Sequence, residues 1–372
     1  MATPGARAIL AAMAALLAAS PAVAQPHLRL HGELGVAELY DDNLFGASHG
    51  MEPDFITRLS PRLGAAFNTH PFSLSASYMV DAEAFRKHPA LDTWRAREEA
   101  GVEARWSPTH SVTAAASASY ADTQSARELN LLTRIDVGRV PAHRFSVRDS
   151  ISVRLGALTR LVVGTAFSRE RSAVSPGMDE RVAMLGLERR VGPADRLTLG
   201  YDLRQFMGAG VATTSQVLSL GWKRQVTPLA ELDLSAGPRL SDIGGPALEL
   251  SAGLRHRLPG GEVILAYVQT QTTVVGEAGL VGVQGVRATL NRRLFRRLSL
   301  RGGPAIFSTR RNMLEATVFE VDTALDFRVA RRLALVASQQ WSLQQGSIVR
   351  SGVDDVAHKS FMLSLAAVPA SR

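Results

Sequence analysis

The sequence predicts an all-β protein, a transmembrane antiparallel up-and-down β-barrel of about 18 strands. Three observations predict it: segments in which apolar and polar side chains alternate, an alternation of short turns with longer connections, and a leader of the secretory type. Successive side chains of a strand point to opposite faces, so alternation gives one apolar face and one polar face. Repeated along a secreted chain, this pattern is typical of barrels with lipid outside and water inside.

The stretch from Arg144 to Gly156 shows the alternation most clearly. Its other parity carries arginine and serine side chains, whereas a helix would scatter both sets around its axis. The apolar parity consists of Phe145, Val147, Ile151, Val153 and Leu155, with Asp149 as its one exception.

Met1 to Ala24 is predicted to be a cleaved signal peptide. Arg7 supplies the positive start, Ala8 to Ala19 the short apolar core, and Ala22 to Ala24 the small-residue cleavage site. We therefore expect the mature chain to begin at Gln25 and residues 25–372 to form the barrel.

Composition excludes several classes of protein. No stretch of the mature chain approaches 18 consecutive apolar residues, which disfavours a helical membrane protein. The chain has no cysteine, so disulfides, thiolate catalysis and thiolate metal sites are excluded, as suits passage through an oxidising periplasm. The formal net charge is +8 and arginine dominates it. This excess reflects either an arginine-rich genome or a lumen that attracts anions.

The first predicted strand, Leu28 to Tyr40, leads into a distinctive run. Tyr40, Asp41, Asp42, Asn43, Leu44 and Phe45 form this run, and Asp54-Phe55-Ile56-Thr57-Arg58-Leu59-Ser60-Pro61 follows a Gly/Ser/His loop. In this order the two runs resemble the opening of porin-like β-barrel outer-membrane proteins associated with exopolysaccharide synthesis and export in Gram-negative bacteria. The resemblance covers only the start of the mature chain. It implies an outer-membrane location and a role in polysaccharide secretion, and it assigns no activity to any residue.

Beyond these runs, short turns and longer connections alternate, as expected for tight periplasmic turns and looser outer loops. An even number of about 18 strands leaves both termini on one side and is wide enough for an aqueous channel. The predicted short turns are Asn68–Pro71, Ser107–His110, Leu155–Thr159, Val191–Asp195, Gln225–Pro228, Leu258–Gly261, Leu294–Arg297 and Val329–Arg332. The longer connections are predicted at Asp41–Pro53, Ala84–Thr93, Thr123–Ala142, Ser172–Met178, Phe206–Thr213, Ser241–Pro246, Gln271–Gly279, Thr309–Met313 and Gln345–Gly352.

The strand from Trp94 to Trp106 is predicted to span the bilayer. Two tryptophans about 12 residues apart cover roughly 30 Å of membrane height in a tilted strand, which matches two aromatic girdles. Glu98 interrupts the apolar face between them. A carboxylate in lipid is costly, so we expect a different register, a position at headgroup level, or a protonated side chain. The last strand is predicted at Val353 to Ala366, although the chain continues to Arg372 and aromatic residues are few.

No catalytic, metal or cofactor site is predicted. Asp41, Asp42 and Asn43 offer oxygen ligands for calcium, but the same residues are ordinary turn formers. The nine histidines lack zinc spacing, and no nucleophile can be paired with a base. The run Gly302 to Pro304 lacks the lysine of a phosphate loop. Arginines alternate with apolar side chains and do not cluster with aromatics, which disfavours nucleic-acid binding.

The arginines of polar parity are the candidate lumen-facing residues. Most are expected to pair with acidic residues across strands and to stiffen the barrel. Some could remain unpaired and guide an anionic or hydroxyl-rich solute, because guanidinium offers forked donors to such oxygens. The set is Arg58, Arg62, Arg95, Arg97, Arg105, Arg144, Arg148, Arg154, Arg287 and Arg301.

The leading hypothesis is a non-enzymatic outer-membrane barrel that assists secretion or surface display of an exopolysaccharide. The alternatives are a general diffusion porin for small anionic solutes and a non-conducting scaffold for periplasmic partners. The expected partners are outer-membrane lipid and lipopolysaccharide, together with the exopolysaccharide and its export machinery under the first hypothesis. The sequence leaves open the oligomeric state and whether Thr123 to Ala142 folds inward as a plug.

Overall fold

The computed structural model describes residues 27–208, 210–243, 245–277, 279–348 and 355–367, which form 18 antiparallel strands. The predicted signal peptide and the C-terminal residues 368–372 lie outside the described residues. The strands are β1 (His27–Asp41), β2 (Asp54–Asn68), β3 (Phe72–Phe85), β4 (Thr93–Trp106), β5 (Val112–Thr123), β6 (Ala142–Arg154), β7 (Thr159–Ser172), β8 (Met178–Arg190), β9 (Asp195–Gly208), β10 (Val211–Thr227), β11 (Ala230–Ser241), β12 (Ala247–Leu258), β13 (Gly261–Thr273), β14 (Leu280–Arg293), β15 (Leu298–Arg311), β16 (Leu314–Ala330), β17 (Leu333–Gly346) and β18 (Val356–Ala367).

Each strand pairs with its neighbours in the chain, and the ring closes between β1 and β18. Val36 of β1, for example, lies opposite Leu59 of β2 on one side and Leu365 of β18 on the other. Two short 3-10 helices, Pro89–Leu91 and Ala126–Leu129, interrupt the connections. The predicted all-β, up-and-down barrel of 18 strands is confirmed.

The outer face of the barrel is apolar, as the alternation predicts. Leu63, Leu199 and Leu220 are among the large hydrophobic side chains exposed on it. A barrel that spans the hydrocarbon core of a membrane needs apolar side chains on its outer face, alternating with polar side chains that point inward. Among the described residues, no helix has the length and hydropathy required to cross a bilayer.

The longer connections gather at one end of the barrel, here called the loop end, and the short turns at the other, the turn end. Two predicted loops are tighter than expected. β9 extends to Gly208 and β10 begins at Val211, while β15 and β16 are joined through only Asn312 and Met313. Asn312 has φ of +54°, and asparagine tolerates this left-handed conformation, which two-residue hairpins require.

Glu98 lies on the outer face and is nevertheless buried. Its neighbour Arg97 lines an interior cavity, so the alternation points Glu98 away from the lumen. The Glu98 carboxylate accepts a hydrogen bond of 3.0 Å from the Tyr78 hydroxyl and pairs with Arg95. Only 1% of Glu98 is exposed. Local compensation by a guanidinium and a phenol was not among the explanations that the sequence suggested.

Asp149 is a second carboxylate on the outer face, seven residues from one end of β6 and five from the other. It lies opposite Ala116 on β5 and Thr165 on β7, and the Thr165 hydroxyl donates to its carboxylate at 2.5 Å. Both Asp149 and Thr165 are exposed. Asp149 therefore interrupts the apolar pattern of β6 without shifting the register of the strand.

Charge introduced on the two faces of the wall should have opposite consequences. Leu199 is exposed on the outer face near the middle of β9, so Leu199→Arg should cost about 2–4 kcal/mol of folding free energy in lipid. Ser150 has the opposite parity on β6 and lines an interior cavity, so Ser150→Arg should be tolerated. The free energy of folding of both variants can be measured by urea titration in lipid vesicles. Equal stability of the two would contradict the assignment of the faces.

Candidate functional site in the barrel lumen

Residues 124–141, which connect β5 to β6, fold into the lumen and are here called the inward segment. Arg127 of this segment donates to the Ser342 hydroxyl on β17 at 2.6 Å, and the Asp136 backbone N–H donates to the Gln344 side chain at 2.8 Å. β17 lies six strands from β5 around the ring. The segment therefore crosses part of the lumen and contacts a distant part of the wall.

Apolar side chains hold the inward segment in place. Ile135, which is 1% exposed, packs against Val274 and Val318. Ala126 and Leu129 form a second cluster with Val275, in the connection between β13 and β14. Burial of such side chains drives the segment inward, because an extended loop would leave them in water.

Asn130 ties the segment to the same connection. Its side-chain amide donates to the backbone oxygens of Ile135 at 3.2 Å and Val275 at 3.4 Å, and its side-chain oxygen accepts from the Val275 N–H at 2.8 Å. Asn130 is 3% exposed. The polar groups brought inside with the apolar residues are thus hydrogen-bonded, as burial requires.

A chain of side chains, here called the latch, joins the segment to the seam between β1 and β18. Arg127 lies 2.6 Å from Nδ1 of His358, and Nε2 of His358 lies 2.9 Å from the Asp41 carboxylate. A guanidinium can only donate, so Nδ1 accepts and Nε2–H donates to Asp41. Arg127 also reaches Asp136 at 3.4 Å. Asp41 therefore positions a segment that lies far away in the sequence.

The rest of the run from Tyr40 to Phe45 shapes the loop end. The Asn43 side chain is 1% exposed, donates to the backbone oxygens of Ala47 and Ala357, both at 2.8 Å, and accepts from the Ala47 N–H. Leu44 packs in a buried cluster with Ile56 and Phe85. These residues fasten the connection between β1 and β2 to its neighbours.

Tyr40, Asp42 and Phe45 complete the fastening of this connection. The Tyr40 ring packs on Phe55 with centroids 5.0 Å apart, and Phe45 meets the His88 ring edge-on at 5.5 Å. The Asp42 carboxylate accepts from the backbone N–H of Lys359 at 2.6 Å.

The second family-like run contributes a clip at the same end. The Asp54 carboxylate is fully buried and accepts hydrogen bonds from the backbone N–H groups of Lys87 and His88. The His88 ring bridges Asp54 at 2.8 Å and Glu52 at 2.9 Å. The hydrogen bond to Asp54, followed by that to Glu52, raises the pKa of His88 above its usual range.

Asp41, Asp42 and His358 bring three ligand-type atoms within 4.8 Å of one another. Both ring nitrogens of His358 are already hydrogen-bonded, and the Arg127 guanidinium lies beside one of them. A cation there would have to displace the latch and would face a guanidinium. The arrangement therefore fits a hydrogen-bonded anchor better than the calcium site considered from the sequence.

Between the inward segment and the wall lies a cavity of about 620 Å³. Two buried carboxylates each stand between an arginine of the wall and one of the segment. Glu83 pairs with Arg58 at 2.5 Å and lies 3.7 Å from Arg139. Glu320 does the same with Arg287 at 3.3 Å and Arg134 at 3.7 Å. The cavity is also lined by Arg97, Arg127, Arg301, Asp41, Glu128, Asp136 and Asp322.

A second cavity of about 470 Å³ lies on the wall closer to the turn end. Serine hydroxyls line it together with Arg105, Arg148 and Glu103. Neither arginine forms an ion pair with a carboxylate of the described residues. Small hydroxyls and free guanidinium groups make this a polar surface that can hydrogen-bond to a solute.

The ten candidate arginines do not all come together. Arg58, Arg97, Arg287 and Arg301 line the first cavity, and Arg105 and Arg148 line the second. Of the others, Arg144 pairs with Glu170 at 2.5 Å, Arg62 lies opposite Glu33 and Met79, and Arg154 is the last residue of β6.

Arg95 is placed differently from the prediction. It pairs with Glu98 and Asp122, on the face opposite Arg97. The reason is a register shift between β3 and β4 near the loop end, which breaks the strict alternation there.

Sequence reasoning missed the arginines of the inward segment and the role of His358. It expected acidic residues such as Glu83 and Glu320 to pair with arginines of the wall, and their second partners in the segment were not foreseen. The available signal was the composition of residues 124–141, which include Leu129, Ile135, Val137 and Val140. A solvent-exposed loop of this length seldom needs so many apolar side chains.

No protein-family model matches the chain, and no curated protein matches it in sequence. Solved structures with similar architecture include Pseudomonas aeruginosa OpdO, at 13% identity and a TM-score of 0.49 over 92% of this chain and 97% of that one. P. aeruginosa OccK2 (OpdF), solved in complex with glucuronate, has 12% identity and a TM-score of 0.48 over 92% and 98%. The ferric enterobactin receptor PfeA of P. aeruginosa has 8% identity and a TM-score of 0.47 over 91% and 80%. Similarities this distant carry no argument about a solute.

Breaking the latch should loosen the inward segment. In His358→Ala, Arg127 and Asp41 each lose a partner in a largely buried position, at a local cost of about 1–3 kcal/mol. We expect the backbone amides of residues 124–141 to exchange hydrogen with solvent faster, as measured by mass spectrometry. His110→Ala, in the exposed turn between β4 and β5, is the matched control. Identical exchange rates for His358→Ala and the unmodified protein would contradict the latch.

The His88 clip should weaken as pH rises. Because the folded-state pKa of His88 is raised, its contribution is complete below the ordinary value of 6.5 and is lost as pH increases through the higher folded value. Trypsin cleavage after Lys87, normalised to a peptide substrate at each pH, should accelerate above pH 6.5. His88→Gln, which does not titrate, should show a flat normalised profile. A flat profile for the unmodified chain would refute the clip.

Proposed function

We propose that this protein is an outer-membrane channel for diffusion of small solutes, with a preference for anions. An outer-membrane location is supported by the closed sheet and its apolar outer face, since lipid-exposed backbone must be fully paired. The loop end would face outward and the turn end the periplasm, as in barrels with short periplasmic turns.

The inward segment sets the size class of the solute. It narrows the lumen at the loop end and is held there by apolar packing, by Asn130 and by the latch. A polymer chain would have to pass the ion pairs that tie Arg134 and Arg139 of the segment to the wall. Small solutes need only the polar space that remains.

One observation carries the anion preference: arginines outnumber carboxylates in the lining of both cavities, and three of these guanidinium groups form no ion pair with a carboxylate of the described residues. The first cavity is lined by seven arginines and six carboxylates, the second by two arginines and one carboxylate. Glu83 and Glu320 each serve two arginines. Arg301, Arg105 and Arg148 form no ion pair with a carboxylate of the described residues. Unpaired guanidinium groups on the permeation path favour anions.

Reversal potentials in planar bilayers under a salt gradient test the preference. The unmodified protein should pass chloride more readily than potassium, and Arg105→Gln combined with Arg148→Gln should lower the permeability ratio about two- to threefold. Arg310→Gln is the matched control, because Arg310 lies on the outer face and pairs with Glu315. A closed or cation-selective unmodified channel would refute the proposal, and absence of conductance with a co-purifying protein would favour a scaffold.

A role in exopolysaccharide secretion stays a prediction that rests on the two family-like runs. Asp41, Asn43 and Asp54 of these runs bind other parts of the loop end, so they support the architecture and leave the cargo undefined. Deletion of the protein separates the two roles. Lower extracellular polysaccharide with intact intracellular synthesis would support secretion, and unchanged export would leave the diffusion channel.

A further inference from the structure

Three arginines project from the outer face at the loop end of β7 and β8. Glu170, between Arg169 and Arg171, pairs with Arg144 and accepts from Thr273, which is far away in the sequence, so it points inward. The two arginines on either side of it therefore point outward. Arg181 lies opposite Phe167, which has the parity of Arg169, and so it also points outward.

We call Arg169, Arg171 and Arg181 the outer arginine cluster. Asp179 lies opposite Arg169, which binds it through two hydrogen bonds of 2.9 and 2.6 Å, and Arg171 approaches it at 3.2 Å. Both oxygens of this carboxylate are thus engaged. Arg181 is exposed and forms no ion pair with a carboxylate of the described residues. The cluster contains three guanidinium groups and one carboxylate, so it keeps two uncompensated positive charges.

The depth of the outer arginine cluster and its aromatic neighbours place it near the level of the lipid headgroups. Arg169 lies three residues below the loop end of β7, which corresponds to about 8 Å of depth in a tilted strand. Phe145 on β6 lies opposite Arg169, and Phe167 lies two residues below it on β7. Both rings point outward with centroids 6.5 Å apart, and the Arg169 guanidinium lies 5.6 Å from the Phe167 ring. Cationic heads above aromatic rings form an amphipathic patch, which suits a ligand with an anionic head and an apolar tail.

Another arginine on the outer face at the loop end has its charge neutralised by a carboxylate. Arg310 on β15 pairs with Glu315 on β16 at 3.0 Å, and the Ser308 hydroxyl also binds that carboxylate. This group is neutral overall, whereas the outer arginine cluster is not. The excess charge is therefore local to β7 and β8.

We propose that the outer arginine cluster binds a phosphate group of a lipid in the surrounding leaflet. A phosphate offers several acceptor oxygens to forked guanidinium donors, and the acyl chains of the lipid would lie along the aromatic surface below. Free phosphate shares the head chemistry but lacks the tail, so we commit to the lipid. The inference rests on the membrane location and is independent of conduction.

Native mass spectrometry of the full-length protein in detergent, with bis-phosphorylated lipid A as the probe, tests the site. If each guanidinium contributes as a basic residue does at an anionic membrane surface, R169Q/R181Q should bind lipid A about 30-fold more weakly than the unmodified protein. R181Q, which leaves the pairing of Asp179 intact, should bind about fivefold more weakly. R310Q is the matched control and should bind normally.

Lipid A without phosphates should bind no better to the unmodified protein than to R169Q/R181Q, and inorganic phosphate should compete only weakly. Equal binding of lipid A by the unmodified protein and R181Q would overturn the proposal, as would full competition by inorganic phosphate. Bilayer conductance of R169Q/R181Q should be unchanged. A failure of the channel proposal would appear in conductance alone, and a failure of the lipid site in binding alone.

Discussion

Because hydrocarbon offers no hydrogen-bond partners, a sheet of eighteen strands can cross it only if the last strand pairs with the first, as β18 does with β1. Closure fixes the alternation of side chains around the ring, so a polar residue of outward parity must find compensation on the surface itself. Glu98 finds it in Arg95 and Tyr78, and Asp149 in Thr165. Polar side chains of inward parity line the lumen, where the inward segment contacts some of them.

The inward segment is built into the barrel wall. Glu83 and Glu320 each pair with one arginine of the wall and one of the segment, so removal of either carboxylate would leave two partly buried arginines without their shared counter-charge. The apolar clusters around Ile135 and Val275 exclude water from the neighbouring contacts and strengthen them. Packing and charge therefore favour the same position of the segment, and the constriction is part of the folded barrel.

Strand number, closure and the faces of residues such as Leu199 could be predicted because the period of two is local information. The inward fold of residues 124–141 could not, because its contacts join distant parts of the chain, as Arg127 and His358 do across 231 positions. The orientation of Arg95 was missed because a register shift leaves no distinct trace in composition. The role of Asp41 could not be predicted for the same reason. The sequence shows only an acidic turn, and the fold shows that the partner of Asp41 is His358 of the last strand.

The two family-like runs acquire a physical meaning from this arrangement. Asp41, Asn43 and Asp54 all bind groups on other strands or loops, and each does so at the loop end. These contacts stabilise the seam between β1 and β18, the connection between β1 and β2, and the contact between Asp54 and His88. They are needed whatever solute the barrel carries. The resemblance carried by these two runs is therefore a resemblance in how the loop end is held together. Under the proposed function, the choice of solute would belong to other residues, Arg301 in the first cavity and Arg105 and Arg148 in the second.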